Sequence, residues 1–157
     1  MIIQSPEHPW LAAIALVALN QTSTGKHILE SQPMATVKLI STPLDSKTYF
    51  QAIGGKNHSV HLSETDQKGL LKFFQDPANL DFAKCVAALA HELIHAMHST
   101  EDHDAFKRRN QSEPISSVFD NQEEELTITG TTRNIESALV YENKIRSELG
   151  LKARASH

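Results

Sequence analysis

The chain has 157 residues, 39% of them hydrophobic, and 15 Lys and Arg stand against 19 Asp and Glu for a formal net charge of -4. That is enough chain for one domain, 1–157, to bury a core without covalent staples, and so small a charge excludes a general pull toward nucleic acid or an anionic membrane. The single cysteine, Cys85, excludes an internal disulfide and fits a chain working in a reducing compartment.

The first element in chain order is WLAAIALVAL, 10–19. It has no Lys or Arg before it and is too short to span a bilayer, so it reads as a core helix opened by Pro9, with no cleavable signal peptide. STGKHILESQ, 23–32, predicts a short helix capped by Ser23 or Thr24. ATVKLIST, 35–42, and KTYFQAI, 47–53, are β-branched or aromatic runs, and Gly54, Gly55 and Asn57 mark a turn into HSVHL, 58–62. These runs predict a small, largely antiparallel sheet with 58–62 on its edge, flanked by His58 and His61 as residues that do not ligate. A helix is expected over 65–75, and Asp76-Pro77 leads into a long apolar helix. The polar stretch 99–122 reads as a loop, 134–150 as a final amphipathic helix ended by Gly150, and the residues after Leu151 as a loose tail. The expected fold class is α+β, a compact domain built around the long helix.

That helix carries AALAHELIHAMH, 87–98. Positions i and i+4 share one helical face, so His91 and His95 present their imidazoles to one point and Glu92 flanks it. Phe82, Val86, Leu89, Leu93, Ile94 and Met97 recur at helical spacing, which buries the three polar groups among apolar ones. Buried polar groups need partners, and a metal ion serves all three. Two neutral imidazoles with a carboxylate near metal-bound water are the parts of a metal-dependent hydrolase.

A catalytic zinc takes three protein ligands and a water. His98 lies about 10 Å along the axis from His91, too far to converge with it, and reads as a helix-end or outer residue. Glu101 has the metzincin spacing but lacks the Gly and the downstream Met that such enzymes use. The acidic run 123–125 remains, either as a source of the third ligand or as the charged first turn of a helix.

HELIH followed by EELTITG, 124–130, resembles the gluzincin arrangement of clostridial neurotoxin light chains. A longer resemblance is to the NleD-type metallopeptidases, small bacterial zinc peptidases among type III secreted effectors and polymorphic toxins. It is carried by TSTGKHILES, HELIHA, EEELTITG and ENKIRSELGL, in that order, over about residues 20–152. The resemblance implies Glu125 as third ligand, Glu124 as an outer carboxylate, and one Zn2+ per chain. With zinc on His91, His95 and Glu125, Glu92 is the general base, and Tyr141, Arg146 or Arg133 is expected to stabilise the oxyanion. The implied function is a monomeric zinc endopeptidase, secreted and acting on a protein, with signalling kinases among the targets, in the cytosol of a host or target cell. The rival is a catalytically silent zinc-containing effector that binds a partner. A structural zinc favours four ligands, commonly Cys, and the intact Glu92 argues against loss of catalysis.

Overall fold

The computed structural model describes residues 1–42, 47–76, 78–114, 118–133 and 136–157. Among them are four strands, β1 (Ile2–Gln4), β2 (Thr36–Ser41), β3 (Tyr49–Gly54) and β4 (Asn57–Leu62), and seven α-helices. The helices are α1 (Pro9–Asn20), α2 (Ser23–Ser31), α3 (Glu64–Leu71), α4 (Leu80–Glu101), α5 (His103–Asn110), α6 (Gln122–Thr129) and α7 (Glu142–Glu148), with a 3-10 turn at Lys72–Phe74. The fold class is α+β, and among the described residues no helix is long and apolar enough to cross a membrane.

The sheet order is β1-β2-β4-β3. Helices α1 and α2 form the crossover that parallel pairing of β1 with β2 requires. β2 also pairs parallel with β4, and only the β3–β4 hairpin is antiparallel, so the small sheet is mixed where a largely antiparallel one was expected. Gly55 turns that hairpin with φ +55°, a conformation other residues adopt at a cost. β4 is therefore interior, and the free edge on this side is β3, whose residues are mostly exposed. His58 is buried, its Nε2 2.8 Å from Thr100 Oγ1, and His61 stacks on Tyr49.

One sheet face packs Val37, Leu39, Val60 and Leu62 into a core with Leu11, Leu19, Leu89 and Leu93. Pro9 opens α1, as expected, whereas α2 is capped by Thr22, whose side chain accepts from Gly25 N at 3.0 Å. Asn79 caps α4 by accepting from Asp81 N and Phe82 N. From there α4 runs 22 residues, about 33 Å, through the middle of the molecule. Leu89 and Leu93 are fully buried on it, and truncating either to Ala costs about 2–5 kcal/mol. Cys85 is a core thiol packed on Gly69, and burial with the nearby Asp66 pushes it up to about 12.

The polar stretch after α4 is not a plain loop. Asp102 ends α4 and caps α5, accepting from Ala105 N at 2.9 Å, and Phe106 anchors that helix. Of the expected final helix only α7 forms, residues 134–135 lying outside the described ones; so do Pro77 and residues 115–117 of the polar stretch. The segment after Leu151 is fixed rather than loose. Asn143 Nδ2 donates to Arg154 O at 2.8 Å, Arg154 N donates to Asn143 Oδ1 at 2.6 Å, and His157 N donates to Val118 O at 2.9 Å.

Candidate metal centre and active site

On α4 the one-turn spacing brings His91 Nε2 and His95 Nε2 to 3.1 Å. Each ring is gripped from behind at Nδ1. His91 donates to Glu142 Oε2 at 2.9 Å and His95 to Glu123 Oε1 at 3.2 Å. Ionised carboxylates only accept, so each neutral imidazole carries its proton on Nδ1 and turns a lone pair at Nε2 toward the other. Two lone pairs so close repel unless a cation or a proton lies between them.

The third group facing that point is Glu124. Its Oε2 is 3.2 Å from His91 Nε2 and its Oε1 3.2 Å from His95 Nε2. Glu124 Oε2 is buried with no hydrogen bond, an orphan acceptor beside two orphan lone pairs. Burial disfavours its charge, yet the two imidazoles outweigh this and hold Glu124 well below the usual carboxylate range. Two imidazoles and a carboxylate in a protected pocket fit a divalent cation such as zinc.

Asn121 explains which acid faces inward. Its side chain caps α6 by accepting from Glu124 N at 3.0 Å, which sets the rotation of the helix. Each residue then turns about 100°, so three adjacent acids point three ways. Glu123 faces His95 and Glu124 faces both imidazoles. Glu125, expected as the third ligand, is turned away, its Oε2 accepting from Arg133 N at 3.3 Å.

Glu123 is 0% exposed and also accepts from His98 Nδ1 at 2.7 Å, Arg109 Nε at 2.6 Å and Thr127 Oγ1 at 3.2 Å. His98 thus sits behind the centre, as its place on the helix suggested. Glu101 is on the surface, within 3.4 Å of Gln32 Nε2. Glu142 accepts from Arg146 at 3.1 Å and Arg154 at 3.2 Å. Burial would raise both outer carboxylates; hydrogen bonds from His95 and His98 instead hold Glu123 below the ordinary range, and the hydrogen bond from His91 with the charges of Arg154 and Arg146 does the same for Glu142. For His91 and His95, burial opposes charge but the surrounding carboxylates prevail and raise both.

Glu92 is lifted by burial, against the pull of the two imidazoles and a backbone hydrogen bond from Phe50. It lines two adjoining cavities of about 650 and 250 Å³, which share His91, Glu92 and His157. Neither Tyr141 nor Arg146 is among the residues lining them. The Tyr141 ring lies over Gly130, which ends α6 at φ +81° and whose missing Cβ leaves that ring its place. Arg146 is spent on Glu142 and Lys152 O, so it steadies a ring partner rather than reaching the cleft.

Glu142 and His157 were not singled out in the sequence. Glu142 opens α7 and looked like an ordinary acidic first turn; His157 lies in a segment with no apolar period.

An α+β fold whose longest helix carries a His, His and Glu cluster beside a cleft defines a metallopeptidase-like centre. The chain belongs to the Peptidase_M91 family, described as effector protein, which it matches over residues 12–157. No curated protein and no solved structure matches it. Membership makes this chain a bacterial effector of peptidase type, with protein as its substrate class, and a metal is what such a family leads one to expect.

Proposed function

We propose that this protein is a zinc endopeptidase of NleD type, one catalytic domain over 1–157 with one Zn2+ per chain, secreted to cut a protein inside a host or target cell. The observation that carries the reading is the orphan Glu124 Oε2 beside the facing Nε2 atoms of His91 and His95. These three residues are the proposed ligands, Glu124 taking the part that the resemblance assigned to Glu125. The same pairing of a helix-borne HExxH with a downstream Glu supports the likeness to neurotoxin light chains. A signalling kinase is the proposed substrate, and the protein acts as a monomer, without nucleic acid or membrane.

When bound, zinc would polarise the scissile carbonyl and acidify a water. Glu92 takes a proton from the attacking water and returns it to the leaving amine. Its burial favours the protonated form, which suits a group that must hold that proton between the two steps. Glu142 and Glu123 fix the imidazoles in one tautomer and orientation. The exposed edge β3 borders the smaller cavity through Tyr49 and Phe50 and offers main-chain groups to an extended substrate.

Glu92→Gln tests the reading. It should retain zinc and lose cleavage by about 10²–10⁴-fold, the range for a general base. A Glu92→Gln protein that cuts at the wild-type rate would refute the mechanism. Wild-type protein that binds zinc but cuts nothing would favour the silent binder.

A further inference from the structure

The residues expected to stabilise the oxyanion are placed elsewhere, yet one imidazole outside α4 reaches the centre. We propose that His157 donates the hydrogen bond that stabilises the oxyanion of the scissile carbonyl, a role that rests on the peptidase reading above.

His157 Nε2 lies 3.2 Å from Glu124 Oε2, and its ring centroid is 6.0 Å from that of His91. A nitrogen of His157, one of His91 and a carboxylate oxygen of Glu124 all lie within 4.8 Å of one another. The ring borders both cavities beside Glu92, so a carbonyl carbon attacked by water at Glu92 has His157 within reach of its oxygen. The ring is also held. Asp120 Oδ2 is 3.0 Å from Nδ1, and the main chain is bonded to Val118. The approaches to Asp120 Oδ2 and Glu124 Oε2 are proximities rather than hydrogen bonds, so the tautomer with its proton on Nε2 presents an uncommitted N–H toward the centre. Arg154, which lines the larger cavity, anchors the same segment on Asn143 and Glu142, while His157 is the member of the segment that borders both cavities.

In the reaction the water oxygen bonds to the carbonyl carbon, the π pair moves onto the carbonyl oxygen, and a water proton passes to Glu92. His157 donates a hydrogen bond to that oxygen and keeps its proton. The oxyanion pair then re-forms the carbonyl as the carbon–nitrogen bond breaks with its pair on nitrogen, which takes the proton from Glu92; the acid product passes its hydroxyl proton to that amine, leaving an ammonium and a carboxylate.

The test uses the full chain loaded with Zn2+ and a peptide that wild type cleaves, found in a proteome-derived library. His157→Ala should lower kcat by about 10²–10³-fold, as for loss of one oxyanion donor, with KM and zinc content little changed. His157→Gln, which keeps an N–H, should recover part of that loss. In the Co2+-substituted protein, methylphosphonate, a tetrahedral anion, should bind about tenfold more weakly to His157→Ala, read from the visible spectrum. Activity of His157→Ala at or above wild type would overturn the proposal and make the segment an occupant of the cleft. Loss of zinc in that variant would overturn it in favour of a fourth ligand. If wild type binds zinc but cleaves no library peptide, the peptidase reading fails, and unchanged methylphosphonate affinity in His157→Ala overturns the proposed donor separately.

Discussion

The two imidazoles of the centre are held by the same device built from different material. Behind His95, Glu123 is enclosed by α4, α5 and α6, with His98, Arg109 and Thr127 as further donors. Behind His91, Glu142 is held by Arg146 of its own helix and by Arg154 from the segment that also brings His157. The first flank is a closed network whose Arg109 side chain is 11% exposed; the second leans on Arg154, 34% exposed. The contrast assigns stability to the His95 flank and access to the His91 flank, since His91 lines both cavities and His95 only the smaller.

The largest effect is expected at the acid shared by both flanks. Glu124→Ala should lose zinc by more than the 10–100-fold typical of an outer carboxylate, whereas Glu125→Ala should keep it, as metal content after dialysis will tell. Retention in the first and loss in the second would reverse the rotation assigned to α6. Next is stability. Glu123→Ala strands a nearly buried Arg109 and two imidazoles, so metal-free protein should lose about 3–5 kcal/mol in denaturant melts, with Glu142→Ala losing less. Equal losses would erase the difference between the flanks.

Zinc affinity sharpens the comparison from the other side, since each outer carboxylate orients one ligand. Glu123→Gln and Glu142→Gln should each weaken zinc binding about 10–100-fold by competition with a chelator. Acid titration follows. Glu123 and Glu142 both lie below the ordinary 4.5, so the native state binds fewer protons than the unfolded chain as pH falls past that value, and stability drops. The raised imidazoles work in the opposite sense, their share being present at low pH and lost as pH rises through their native values. Melts of metal-free protein between pH 6 and pH 3, about 1.4 kcal/mol per unit for each proton, should flatten more in Glu123→Gln than in Glu142→Gln. The smallest change is Thr127→Val, which removes one donor from Glu123 and should cost about 0.5–1.5 kcal/mol by the same melts.

Much of the centre was legible because helical period is local. HELIH within an apolar repeat determined that His91 and His95 share a face, that Glu92 stands beside them, and that His98 lies too far along the axis. Asp102 three residues before Ala105 was a readable cap, but α5 buries little besides Phe106, so its polar composition hid it. The α+β class followed from runs of different period, whereas parallel pairing of β1, β2 and β4 did not, because register between distant strands is decided by what the crossover helices can pack against.

Which of three adjacent acids faces the imidazoles was beyond the sequence for a sharper reason. Rotation by one residue is 100°, and the phase of α6 is set by its cap at Asn121 and by packing that no composition records. Glu142, Arg154 and His157 carry no period at all. Glu142 bonds His91 across 51 residues of chain, Arg154 reaches that ring only through Glu142, and His157 lies beside it at 6.0 Å between centroids, an assembly that only tertiary structure brings together.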